Sequence, residues 1–161
     1  MIGYDIYESP IGNIFVVVSN EGVSKVELFT ENWHKFLESN KDLQQNKEIC
    51  FEAIKQLDEY FLGVRKNFDL KLDLKGTNFQ KKVWNVLCNI PYGEILTYKQ
   101  VAEKVESPKA VRAVGQANKA NEIPIIIPCH RVIGYNGKLV GFAGDKIWVK
   151  EYLLKHEGYL K

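Results

Sequence analysis

Apolar residues come in short bursts along this chain, and their spacing changes from alternate positions to helical repeats and back. Residues 13–19 carry Ile14-Phe15-Val16-Val17-Val18, a β-branched run between Pro10/Gly12 and Asn20-Glu21-Gly22. A second run over Val23 to Phe29 predicts a strand meander. Glu48 to Leu62 sets Cys50, Ala53, Ile54, Leu57, Tyr60 and Phe61 at helical spacing, with Gly63 placed to stop the helix. Cys50 lies on that stripe and reads as a core residue. Phe68, Leu70, Leu72 and Leu74 alternate with Asp69, Lys71 and Asp73, the pattern of a strand buried on one face.

The pattern changes at Lys75-Gly76, which is taken as a domain boundary. Thr77 or Asn78 caps a helix to about Ile90, with Val83, Trp84, Val86 and Leu87 inward and Cys88 as a structural member. Pro91-Tyr92-Gly93 breaks it. Thr97-x-x-Gln100 is a capping box opening a helix to about Val105. Ser107-Pro108, as N-cap and first helical position, predicts another helix from Pro108 to about Ala120. Two helices joined so tightly resemble a helix-turn-helix. The second helix is slim at Ala110, Ala113, Gly115 and Ala117 and carries Lys109, Arg112 and Lys119. Either a close-approaching partner or tight packing on another helix accounts for such small residues. Ile123 to Pro128 reads as a buried extended segment delivering Cys129-His130-Arg131. Asn136-Gly137 signals a hairpin within Val132 to Val140. Gly141-Phe142-Ala143-Gly144 reads as a flexible loop, and a last helix spans about Lys146 to Glu157.

The 161 residues, 45% hydrophobic, suit one compact domain or two small packed ones. No apolar run approaches the ~20 residues of a membrane span, and the N-terminus lacks the basic start and apolar stretch of a signal peptide. Three cysteines with no close pair argue against a disulfide framework and for a reducing, cytoplasmic setting. The net charge of +2 conceals an asymmetry: residues 1–74 hold 8 Lys and Arg against 13 Asp and Glu, and residues 75–161 hold 14 against 7. A basic second half suits contact with a polyanion, although ordinary scatter of surface charge gives such splits too.

Cys129 has the neighbourhood of a reactive thiol. A thiol acts as its thiolate, which a nearby cation or base favours. His130 can accept the thiol proton, through a water, and Glu157 or another carboxylate can orient the imidazole. A Cys-His pair alone equally describes a buried, inert cysteine. Zinc is rejected as a catalytic requirement, because His34 and His156 are distant in sequence and there is no Cys-x-x-Cys pair.

Pro128-Cys129-His130-Arg131-Val132 resembles the active-site signature of the O6-alkylguanine-DNA alkyltransferases, also called methylated-DNA–protein-cysteine methyltransferases. The likeness extends through Gly93-Glu94, Thr97-Tyr98, Pro108 to Gly115 and Asn121 to Pro124, then through Gly141 to Gly144 and Lys150 to Glu157. It covers nearly all of residues 75–161. The resemblance implies an α+β protein, with a small strand-rich α/β domain (1–74) packed on a mostly helical, winged-helix-like domain (75–161). It implies that Cys129 is the nucleophile, His130 its water-mediated base, and Glu157 the carboxylate orienting His130. Asn121 would hold the turn before the active-site segment, and Tyr98 would donate to the guanine ring. Arg112 would fill the gap left by a flipped nucleotide. DNA would be met in the minor groove by Thr97, Tyr98, Lys99, Lys109, Ala110, Arg112, Ala113, Gly115 and Lys119. The base would be held by Tyr98, Cys129, Val132, Phe142, Ala143 and Gly144. Two departures stand out: Glu122 replaces a proline common in the family, and Phe142 replaces a usual tyrosine.

The implied reaction is transfer of an alkyl group from guanine O6, with O4-alkylthymine a second candidate, onto Cys129 after base flipping. The thioether formed is a poor leaving group, so each molecule would act once, without cofactor or metal. The implied protein is a monomer acting on double-stranded DNA in the cytoplasm, or in the nucleus of a eukaryote. Two other classes compete: a non-catalytic binder of alkylated DNA, which Cys129 disfavours, and a cysteine hydrolase, which repeated turnover would reveal.

Overall fold

The computed structural model describes residues 2–140 and 146–161. The expected loop Gly141 to Gly144, and with it the base-contacting roles of Phe142, Ala143 and Gly144, lies outside the described residues. The chain forms two compact units, Met1–Lys75 and Gly76–Lys161. The first is strand-rich and the second mainly helical, a mixed α and β protein as expected.

In the first unit, β1 (Gly3–Ser9), β2 (Gly12–Ser19) and β3 (Gly22–Glu27) form an antiparallel meander in that order. β2 is the apolar run, and Ile14 to Val18 are all buried. Two-residue turns join the strands. At Gly22 (φ 134°) a Cβ would stand 2.3 Å from the Lys71 carbonyl oxygen, so only glycine fits. α1 (Thr30–Ser39) supplies Trp33, which stacks on Phe15 at 4.9 Å and meets Tyr4 edge-on. α2 (Lys47–Phe61) is capped by the Asn46 side chain, packs on β1 and β2, and buries Cys50 as expected.

The expected strand from Phe68 to Leu74 is reduced to one bridge. Val23 donates to Lys71 O, and Asp73 donates back to Val23 O. The segment follows β3 only there, and Gln56 engages the Asp69 backbone from both its amide atoms.

In the second unit, Thr77 and Thr97 form the capping boxes of α3 (Asn78–Cys88) and α4 (Tyr98–Lys104). α5 (Val111–Lys119) packs on both. It begins three residues later than expected. α4 ends in a Schellman turn, with Glu106 left-handed (φ 59°) and Ser107 N–H reaching Ala102 O, so Ser107 is engaged in stopping one helix and does not cap the next.

Two further expectations fail after α5. Ile123 to Pro128 is a tight coil: Ile127 N–H returns to Ile123 O, and Ile125 sits at φ 72°. The closure leaves Ile123, Ile125, Ile126 and Ile127 all buried. A β-branched residue in that conformation costs roughly 1–3 kcal/mol, offset by the apolar burial. The Asn136-Gly137 turn forms, with Gly134 N–H on Lys138 O, but residues 138–140 form no returning strand. Instead β5 (Val132–Ile133) pairs in parallel with β4 (Leu96–Thr97). α6 (Ile147–His156) completes the unit.

Candidate active site

Cys129 opens a single 3-10 turn, Cys129–Arg131, at the end of the isoleucine coil. Asn121 grips that coil at both ends: its Oδ1 accepts Ile123 N–H and its Nδ2 donates to Ile127 O, each at 2.9 Å. The Asn118 side chain donates to the Cys129 carbonyl at 3.4 Å. Cys129 is 6% exposed. Burial pushes its thiol up, while a hydrogen bond from Asn121 and the charge of Lys150 pull it down.

His130 and Arg131 are buried beside it and converge on one carboxylate. His130 Nε2 lies 2.8 Å from Glu157 Oε2, and Arg131 clamps Glu157 through Nε to Oε1 (2.7 Å) and Nη2 to Oε2 (2.9 Å). Arg131 Nη1 also donates to Ile90 O. Burial alone would raise the Glu157 carboxyl, but the hydrogen bonds and charges of His130 and Arg131 outweigh it and hold it well below the usual range. An ionised Glu157 accepts from His130, which fixes the proton on Nε2 and leaves Nδ1 as the basic nitrogen. That Nδ1 is buried with no partner among the described residues. Burial lowers the imidazole, against the pull of Glu157, so the resting ring is neutral. A neutral imidazole with a free lone pair is ready to take a proton.

Lys150, on α6, was assigned no role from sequence, yet its side chain is fully buried. Its Nζ donates to Val132 O and, at 2.7 Å, to Val140 O, and it stands 5.9 Å from the Tyr98 ring centroid. Burial pulls it down to about 8, against the opposing influence of Cys129. A sequence signal existed: Lys150 falls four residues before Leu154 on the stripe that also buries Val149 and Leu153. Arg131 is the second residue whose part emerges from geometry, through its clamp on Glu157.

Tyr98, the first residue of α4, donates from its hydroxyl to Val140 O at 3.2 Å, and burial followed by the influence of Cys129 raises its phenol. Thr97 spends its hydroxyl on capping α4. Val132 is fully buried in β5. An open cleft of about 620 Å³ begins at Tyr98 and is lined also by Lys99, Arg112, Gly115 and Lys119 among others. Among the described residues nothing stands within 4 Å of where a Gly115 Cβ would be, so packing against the described helices does not account for that glycine. Ala117, grouped with the slim surface from sequence, is buried instead and accepts from Trp84 Nε1 through its carbonyl. Ala113 and Lys109 are exposed and Ala110 half-buried.

Residues 78–159 match the DNA-binding domain of 6-O-methylguanine DNA methyltransferase, and residues 2–74 match its ribonuclease-like domain. The chain belongs to the 6-O-methylguanine DNA methyltransferase family. It is 49% identical over 154 residues to the methylated-DNA–protein-cysteine methyltransferase of Methanosarcina barkeri, covering 96% of each chain. It is 46% identical over 156 residues to the constitutive enzyme of that name from Bacillus subtilis, covering 96% of this chain and 94% of that one. The crystal structure of Mycobacterium tuberculosis OGT in complex with DNA superposes with a TM-score of 0.84 at 39% identity, covering 96% and 92% of the two chains.

Proposed function

We propose that this protein repairs DNA by moving an alkyl group from guanine O6, or from thymine O4, to its own Cys129. The arrangement that carries this reading is a buried thiol followed directly by a buried histidine whose ring is held 2.8 Å from the Glu157 carboxylate. The Sγ lone pair attacks the alkyl carbon, the C–O6 bond breaks, and its electron pair stays on the base. The proton lost by the thiol passes through water to His130 Nδ1, and the guanine takes up one proton in return. Tyr98 donates to the ring and offsets the charge developing there. The S–C bond has no hydrolytic exit, so one molecule acts once and needs no cofactor.

Duplex DNA lies on the α5 side of the second unit. Thr97, Tyr98, Lys99, Lys109, Ala110, Arg112, Ala113, Gly115 and Lys119 face its minor groove, and Arg112 occupies the stack vacated by the flipped nucleotide. Val132 and the segment bearing Phe142, Ala143 and Gly144 complete the base pocket. The first unit is structural, and the protein works as a monomer in the cytoplasm. Among the described residues no helix is long and apolar enough to cross a membrane. Intact-protein mass spectrometry after mixing with O6-methylguanine DNA tests the reading. One methyl per chain, on Cys129, is expected; repeated turnover would make the protein a hydrolase instead.

A further inference from the structure

Tyr135 is 88% exposed, more than any other large hydrophobic side chain among the described residues. It follows Gly134, whose N–H is held by Lys138 O at 2.8 Å and whose carbonyl accepts Gly137 N–H at 2.9 Å. The Lys138 N–H is also engaged by the Asn136 side chain, and the far end of the turn is tied down at Val140 O by both Tyr98 and Lys150. A hydrogen-bonded turn thus presents an aromatic ring to water, at the cost of leaving its apolar faces unburied.

The ring lines the same cleft as Lys99, Arg112 and Lys119, and the described lining includes no carboxylate. α5 contributes a bare backbone at Gly115, which a second molecule can approach closely. Cations beside an exposed aromatic, around an open cleft, are the pairing used to hold nucleic-acid strands: charge takes the phosphates and the ring takes a base face. Double-stranded DNA hides its base faces by stacking. A duplex from which one nucleotide has been turned out exposes them.

We propose that Tyr135 is a stacking platform for a DNA base left unstacked at the opened site, acting from the Asn136-Gly137 turn alongside Arg112 of α5. The proposal rests on the DNA reading above and adds a contact that neither the Cys129 chemistry nor the helix-turn-helix supplies.

The test measures affinity for an O6-methylguanine duplex at several salt concentrations, using the full chain and its Tyr135→Ala, Tyr135→Phe and Lys119→Ala variants. Tyr135→Ala should bind about tenfold more weakly, the scale of one lost stacked base. Its slope of log affinity against log salt should stay unchanged, because no phosphate contact is lost. Tyr135→Phe should bind within about twofold of the parent. Thermal melting of each variant checks the fold, and an 88% exposed side chain should leave it unaltered. Parent-like binding by Tyr135→Ala overturns the proposal, as does an equal loss in Tyr135→Phe, which would assign the contact to the hydroxyl. Lys119→Ala separates this failure from failure of the DNA reading. A shallower salt slope there, with Tyr135→Ala unaffected, removes only the stacking role. No change in any variant removes DNA from this cleft altogether.

Discussion

His130 and Glu157 stand 27 residues apart in the chain and 2.8 Å apart in the fold, both side chains sealed from solvent. Arg131 takes the other face of the same carboxylate. The charge of Glu157 therefore has two functions at once, since it neutralises Arg131 and sets the His130 tautomer. Glu157→Gln keeps the shape but leaves the Arg131 guanidinium buried without its counter-charge. Loss of one partner of a buried pair costs about 3–5 kcal/mol. We expect a variant that melts well below the parent and, where still folded, transfers methyl more slowly with nearly parental DNA affinity. Rapid mixing with labelled duplex measures the rate. A folded variant transferring at the parental rate would remove Glu157 from the relay.

The same pair fixes the response to acid. Burial holds the folded-state His130 below its ordinary 6.5, so below that pH the unfolded chain gains a proton that the folded chain refuses. Stability should therefore fall as pH drops through 6.5. It should fall again below the ordinary 4.5 of Glu157, whose folded-state value is held lower still by His130 and Arg131 despite burial. Melting temperatures between pH 7.5 and 4 should decline in two stages, and His130→Gln should lose the upper one. A flat profile from pH 7 to 5.5 in the parent contradicts a buried neutral imidazole.

The three cysteines separate accessibility from reactivity. Cys88 is exposed at the end of α3, Cys129 is buried, and Cys50 is buried with its thiol pushed up to about 11, chiefly by burial. A bulky maleimide should label Cys88 first. Alkylated DNA should place its methyl on Cys129 alone, and Cys129→Ser should bind that DNA without dealkylating it. Peptide mapping after each treatment distinguishes the two orders; a methyl on Cys88 would show that exposure governs transfer.

Arg112 is exposed on α5 and lines the open cleft together with Tyr98. Arg112→Ala should slow repair of duplex DNA at least tenfold while reaction with free O6-benzylguanine, which needs no flipping, changes little. An unchanged ratio of the two rates would remove Arg112 from base flipping.

What the sequence made legible was local. Thr77 and Thr97 form their capping boxes because each needs only a partner three residues on. β1 was illegible because its alternation is inverted: Asp5 is buried on Gln45 while Ile6 faces out. Prolines around the isoleucines suggested extension at Ile123 to Pro128, but Asn121, a side chain outside the segment, closes it into a coil. The Cys129-His130 pair was visible as a dipeptide, whereas the choice of Glu157 as its carboxylate came from family resemblance and not from spacing. Lys150 went unassigned because a lysine on an apolar stripe reads as an intrusion until the carbonyls it serves are seen.

Lys150 gives the most direct view of how the thiol is charged. It lies on the acid side of its ordinary 10.5, at about 8, because burial disfavours the ammonium. Near neutral pH it is still mostly charged, which favours the Cys129 thiolate against the burial that opposes it. In the parent, transfer to free O6-benzylguanine should rise with pH as the thiol ionises, then level or fall above about 8 as Lys150 discharges. Lys150→Met keeps the length of the side chain but neither charge nor donor. It should slow transfer most near pH 7, move the rising limb to higher pH, and remove the decline. Because Val132 O and Val140 O also lose their donor, some loss of stability is expected. A merely structural lysine would lower the rate by one factor at every pH. A profile lowered but not displaced would therefore assign Lys150 to holding the turn, and leave the charging of Cys129 to Asn121 and His130.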